Sequence, residues 1–174
     1  MSVLSEEKIK DLIEKGELIV KGKKEIKINP TSVDLHLGNK FTCFKYSDQH
    51  VVDLKNFKNP IYFERLLPDG RKMIGHLFTD EYVGEEPFTI HPKDTVFGVT
   101  EEYIQLPENV GARFYPKSEI VRAGLIVFSA SGWAQWIDPG FRGDIFIGMH
   151  NIAWLPIKVY PGMNIGRLVF EKVE

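Results

Sequence analysis

Cysteine is nearly absent from this chain, and Cys43 stands alone. One thiol closes no disulfide within the chain and builds no cysteine-rich zinc site. Long apolar runs are missing as well. None approaches the length of a membrane span, and Met1 to Lys8 holds no apolar signal-peptide stretch. A cytoplasmic location with no membrane partner is the expectation. Neither sign of charge is in excess. A formal net charge of -2 makes no electrostatic case for nucleic acid as a partner. Lys21, Lys23, Lys24 and Lys27 lie close together and read as the solvated edge of a hairpin. Several motifs are also missing: no Gly-x-x-x-x-Gly-Lys-Ser/Thr loop, no Gly-x-Gly-x-x-Gly, no His-Glu-x-x-His and no Cys-x-x-Cys. His36, His50, His76, His91 and His150 are scattered without ligand spacing.

What is present fits a globular protein with a real core. The 174 residues are 43% hydrophobic and 26% charged, enough for one domain over residues 1–174. Near the N-terminus Ser5 can cap a helix, Glu6 and Glu7 suit its positive end, and Ile9, Leu12 and Ile13 share a face. Gly16 follows as a stop. Strand patterns dominate beyond it: Leu18 to Val20, Val33 to Leu37, Lys40 to Phe44, Phe88 to His91, Thr95 to Thr100, Val110 to Tyr115, Leu125 to Ser129, Asp144 to His150, Ile157 to Tyr160 and Ile165 to Glu171. Short strands punctuated by Pro and Gly at this spacing predict a mainly β sandwich or barrel of jelly-roll type. A second short helix is expected from Lys117 to Ala123. The stretch from Asp53 to Gly84 is less regular and reads as an excursion.

Three segments place polar groups where packing does not obviously need them. In "PTSVDLHLG", Val33, Leu35 and Leu37 alternate with Asp34 and His36. Asp34 reads either as a solvent-facing strand residue or as a carboxylate holding Mg²⁺ through water. In "FYPKSEIVRAGL", Lys117 and Ser118 open a helix and Arg122 follows four residues after Ser118. They read as a capped surface helix or as an anion cradle, with Glu119 opposing the second reading. In "WIDPGFRGDIFIGMHN", Asp138, Pro139 and Gly140 are ordinary turn chemistry. The same segment makes Asp138 a candidate general base, and Phe141 a surface for a flat ring or a sugar.

Taken together and in order, five stretches resemble the dCTP deaminase branch of the dUTPase superfamily. They are "INPTSVDLHLGNKF", "HPKDTVFGVTEEYIQLPENVGARF", "PKSEIVRAGL", "IDPGFRGDIFIGMHN" and "YPGMNIGRLVFEKV". The resemblance implies a distorted jelly-roll subunit in a homotrimer. It also implies shared active sites that take a pyrimidine deoxynucleoside triphosphate and Mg²⁺. By position, Asp34 matches the acid that organises the metal and its waters. Lys117 and Ser118 match a phosphate-holding pair, and Arg122 a further phosphate contact. Asp138 matches the acid that activates water, and Phe141 an aromatic under the deoxyribose. The base would be read by backbone groups of the hairpin from Ser129 to Trp136. Gln135 is an optional side-chain contact there, and Trp133 and Trp136 either wall the pocket or pack between subunits.

Departures from the family pattern set the expected activity. The deaminases carry a proton-shuttling glutamate ten residues past the acid matched by Asp138, and here that position is Gly148. A general acid–base group contributes a factor of roughly 10² to 10⁴. The expectation is therefore a dUTP diphosphatase that releases dUMP and pyrophosphate. The alternatives are a dCTP deaminase with Glu119 or Asp144 in place of the glutamate, or a nucleotide-binding paralogue without turnover. Glu119, and the want of a glycine-rich tail beyond Glu174, motivate the last. The hairpin "FSASGWAQWID" resembles its family counterpart with three residues added.

Overall fold

The computed structural model describes residues 2–44, 63–66, 72–75, 79–129 and 135–173. In chain order its elements are β1 (Ser2–Val3), α1 (Glu6–Glu14), β2 (Ile19–Lys21), β3 (Ile28–Asn29), β4 (Ser32–Phe44), β5 (Phe63–Leu66), β6 (Lys72–Gly75), β7 (Thr79–Val83), β8 (Phe88–Ile90), β9 (Thr95–Gln105), β10 (Val110–Pro116), α2 (Ser118–Arg122), β11 (Leu125–Ser129), β12 (Trp136–Ile137), β13 (Arg142–Asn151), β14 (Ile157–Val159) and β15 (Asn164–Lys172). The architecture is the distorted jelly-roll barrel that the family resemblance implies, within the mainly β class that the strand spacing suggests.

Helix α1 forms for the reasons its sequence suggests. The Ser5 side chain accepts the Lys8 backbone N–H at 3.4 Å, and Glu6 and Glu7 occupy the first turn. Ile9 and Leu12 are buried, and Gly16 leaves the helix at φ +70. On its exposed side Lys15 and then Lys8 hold the Asp11 carboxyl below its ordinary value through hydrogen bonds.

The main sheet runs in the order β11-β13-β9-β4-β15-β10-β12, with β1, β2, β3 and β7 attached off that path, and its pairings are antiparallel. Strand β4 is continuous, where the sequence suggests two strands separated at Gly38 and Asn39. It bends instead of breaking. Its first half pairs with β15, its second with β7, and its register to β9 shifts between Leu37 and Phe41. Glycine is required at the bend, because a Cβ on Gly38 would stand 2.9 Å from the Val99 carbonyl oxygen.

A second irregularity lies in β13, whose register against β9 shifts between Asp144 and Phe146. The bulge is bridged by Thr100. Its hydroxyl accepts the Ile145 N–H at 2.9 Å and donates to the Glu102 carbonyl at 2.9 Å. Beyond it, Ile145, Ile147 and Met149 point into a core shared with Leu35, Leu37, Phe114 and Phe170, all fully buried. The buried Asn151 then ties down the turn into β14. Its amide donates to the carbonyls of Ile90 and Leu155, and its oxygen accepts from Ala153 N–H. Among the described residues no helix is long and apolar enough to cross a membrane.

Candidate active site

The sequence-predicted site residues fall into two groups. The first sits where β4, β15 and the start of α2 meet. Asp34 is 4% exposed, on a strand whose neighbours on both sides are buried too. The expected solvent-facing position is instead enclosed by polar side chains, those of Asn29 from β3, Asn164 from β15 and Lys117. Asp34 Oδ1 accepts from Asn29 Nδ2 at 2.8 Å, and Oδ2 accepts from Asn164 Nδ2 at 2.8 Å. Lys117 Nζ stands 3.8 Å from the same Oδ2. Lys117 is the residue before α2, and its backbone N–H donates to the Ile165 carbonyl at 3.0 Å. Ser118 and Arg122 are exposed on α2, and their side chains have no hydrogen-bond or ion-pair partner among the described residues.

The second group is the turn between β12 and β13. Asp138 is exposed, its Oδ1 accepts the Trp136 indole N–H at 3.0 Å, and its carbonyl accepts the Phe141 N–H at 3.2 Å. Gly140 adopts φ +78, and a Cβ there would lie 2.9 Å from the Glu108 carboxylate. Phe141 is partly buried against the core. Trp136 lies flat on Gly111, where any Cβ would collide with its ring, and Arg113 stacks over it at 5.0 Å. Its indole is therefore committed to β10 and to Asp138. Gln135 is half-buried at φ +66. Trp133 and most of its hairpin lie outside the described residues.

The two groups do not meet within one chain. Ile137 pairs with Ala112, so Asp138 continues towards the Gly111 end of β10. Lys117 follows the other end, after Pro116. Six residues of strand separate them, about 20 Å at ~3.3 Å per residue. Among the described residues no hydrogen bond or ion pair joins them.

Sequence reasoning missed Asn29, Asn164 and Phe128. The two-residue turn at Pro30 and Thr31 was the available signal for Asn29. For Asn164 there was none, because only the β4–β15 register brings it to Asp34. Its Oδ1 is buried without a hydrogen-bond partner. A buried unpaired acceptor costs about 1–3 kcal/mol, and the amide end of the same side chain donates to Asp34.

Phe128 lies directly opposite Gly148 across β11 and β13. A Cβ on Gly148 would fall inside the Phe128 ring. The alternation of β13 puts Phe146 and His150 on the same outward face as Gly148. Phe146 stacks on Phe97 at 5.3 Å, and His150 Nδ1 lies 2.9 Å from Thr95 Oγ1. The outward face around Gly148 is thus aromatic, with the His150 imidazole two positions along.

Asp34 is the carboxylate expected to organise Mg²⁺ through water. Both Asp34 oxygens already accept amide hydrogen bonds in a buried setting. Among the described residues no group of three or more His, Cys, Asp or Glu side chains is placed to hold a metal ion.

This barrel, with its acid-bearing turn, has the fold of the dUTPase-like proteins. The 2'-deoxycytidine 5'-triphosphate deaminase of Agrobacterium tumefaciens superposes with a TM-score of 0.66 at 19% identity, covering 97% of this chain and 46% of that one. EIAV dUTPase superposes with a TM-score of 0.52 at 19% identity, covering 90% and 89%. At those identities the likeness is one of fold. Residues 3–173 match the dCTP deaminase-like family, and the chain belongs to it. A relative from Nanoarchaeum equitans is 38% identical over 173 residues, covering 99% of this chain and 85% of the relative. Others from Persephonella marina (35%, covering 99% and 84%) and Leifsonia xyli (36%, covering 99% and 77%) are similar. All three relatives are named "dCTP deaminase, dUMP-forming".

These relatives correct the expectation of a plain dUTP diphosphatase. That reading gave decisive weight to one position, Gly148. The likeness to dUMP-forming dCTP deaminases extends over nearly the whole chain and supports the deaminase alternative instead.

Proposed function

We propose that this protein converts dCTP to dUMP. The observation that carries the reading is the similarity, 38% and 35% identity over 99% of this chain, to relatives of that name. The reaction has two parts. Water replaces the C4 amino group and releases ammonia, and a second water cleaves between the α- and β-phosphates to release pyrophosphate. Lys117, Ser118 and Arg122 hold the phosphates, and Mg²⁺ enters on the triphosphate. Asp138 orients the water at the α-phosphorus. Phe141 packs under the deoxyribose, and Gln135 with its hairpin reads the base. Gly148 supplies no acid at the base. His150, fixed by Thr95, is the titratable side chain of β13 closest to it on that face and takes its place. The deciding experiment is incubation with dCTP and Mg²⁺, with products resolved by chromatography. Formation of dUMP with ammonia supports the reading. Formation of dCMP, or intact dCTP, sinks it.

The same reading makes the site a joint product of two copies in a homotrimer. About 20 Å separates Asp138 from Lys117 along β10, a gap that one triphosphate does not bridge. Mixing Asp138→Asn protein with Lys117→Met protein under subunit exchange should restore activity that neither has alone. Two inactive parents that stay inactive after verified exchange would place both residues in one copy's site.

A further inference from the structure

We infer that Asp34, clamped by Asn29 and Asn164, is a positioning residue for Lys117. The inference rests on the phosphate role proposed for Lys117. Its ground is the hydrogen-bond arrangement around the carboxylate. Asn29 occupies Oδ1 and Asn164 occupies Oδ2, so the plane of the carboxylate is set from both sides. The clamps come from different elements, the β3–β4 hairpin and the first residue of β15. Neither can shift without moving a strand that also carries core residues.

Lys117 meets this fixed charge at 3.8 Å, with its side chain 22% exposed. That separation is an ion pair but too long for a hydrogen bond. Its three ammonium donors therefore remain available to an incoming anion. The backbone is held at the same place, since the Lys117 N–H donates to the carbonyl of Ile165, the neighbour of Asn164. Residues 164 and 165 thus fix both the counter-charge and the main chain of Lys117. The unpaired Asn164 Oδ1 fits this assignment, because the side chain is oriented by what its amide does and not by its oxygen.

The test is a double-mutant cycle read by calorimetry with inorganic tripolyphosphate, which needs neither turnover nor added metal. Lys117→Met should weaken binding by about tenfold or more, as loss of a charge-assisted contact does. Asn164→Ala should weaken it by roughly three- to tenfold in the wild-type background and leave it unchanged in the Lys117→Met background. Thermal denaturation of each variant separates this from general destabilisation. If Asn164→Ala does not fold, Asn29→Ala removes the clamp on the other oxygen and should give the same coupling. Equal losses in both backgrounds, or none in the wild type, overturn the inference while leaving the phosphate role of Lys117 in place. Unchanged binding by Lys117→Met overturns the phosphate role, and the inference falls with it. Magnesium titration gives an independent readout. If Asp34 only positions Lys117, Asp34→Asn should weaken tripolyphosphate binding equally with and without Mg²⁺. A loss seen only with Mg²⁺ would make Asp34 a metal-organising residue after all.

Discussion

Asp138→Asn protein should form dUMP roughly 10² to 10⁴ times more slowly than the wild type, about 3–5 kcal/mol of barrier. The substitution is close to isosteric, and the turn tolerates it. Asn suits an Asp-Pro-Gly turn as well as Asp does, and its side-chain oxygen still accepts the Trp136 indole N–H. What is lost is the charge that deprotonates or orients water. Nucleotide affinity should change far less, because the phosphates are held by Lys117, Ser118 and Arg122 and by the Mg²⁺ they carry, while Asp138 acts on the attacking water. Two measurements check this: single-turnover formation of dUMP, and calorimetric binding of a non-hydrolysable dCTP analogue. Unchanged turnover would make Asp138 a turn residue only. Lost binding together with lost thermal stability would make it a structural one.

Gly148→Glu should cost stability and bring no deamination of its own. Any side chain at this position meets the Phe128 ring, so the strand must shift or the ring must turn out. Overpacking of this kind costs about 1–3 kcal/mol, and a carboxylate set among Phe128, Phe97 and Phe146 adds a desolvation cost. A total of roughly 3–5 kcal/mol corresponds to a melting temperature lower by about 10 °C for a chain of this size. Adding Phe128→Ala opens the space the carboxylate needs. The double variant should regain about 1–3 kcal/mol relative to the sum of the single changes. It is also the variant in which faster deamination of dCTP is expected. Thermal denaturation of the four proteins in the cycle is the check. A Gly148→Glu protein as stable as the wild type would show that Phe128 moves aside freely, and that glycine is not needed under it.

Much of this protein was readable in its sequence because the signals are local. Ser5, the Glu6–Glu7 pair, Ile9, Leu12 and Gly16 carry the start, face and end of α1 within eleven or so residues, about the span over which capping and periodicity act. Period-two alternation marked β11 from Leu125 to Ser129 and most of β9, β13 and β15, since each has one face towards the core. The motif order was enough for the family. Other features were decided only when strands met. The continuity of β4 through Gly38 depends on the approach of Val99, sixty-one residues on. The fate of Asp34 depends on Asn164, 130 residues away, arriving in the β15 register. The distance between Asp138 and Lys117 depends on β10 pairing with β12 in one register and no other. The obstruction over Gly148 comes from a ring on β11. Alternation assigns each residue to a face, but a face has no identity until a neighbouring strand supplies the atoms opposite it. Which carboxylate is clamped, and which glycine is roofed, follows from registers between segments that no local pattern encodes.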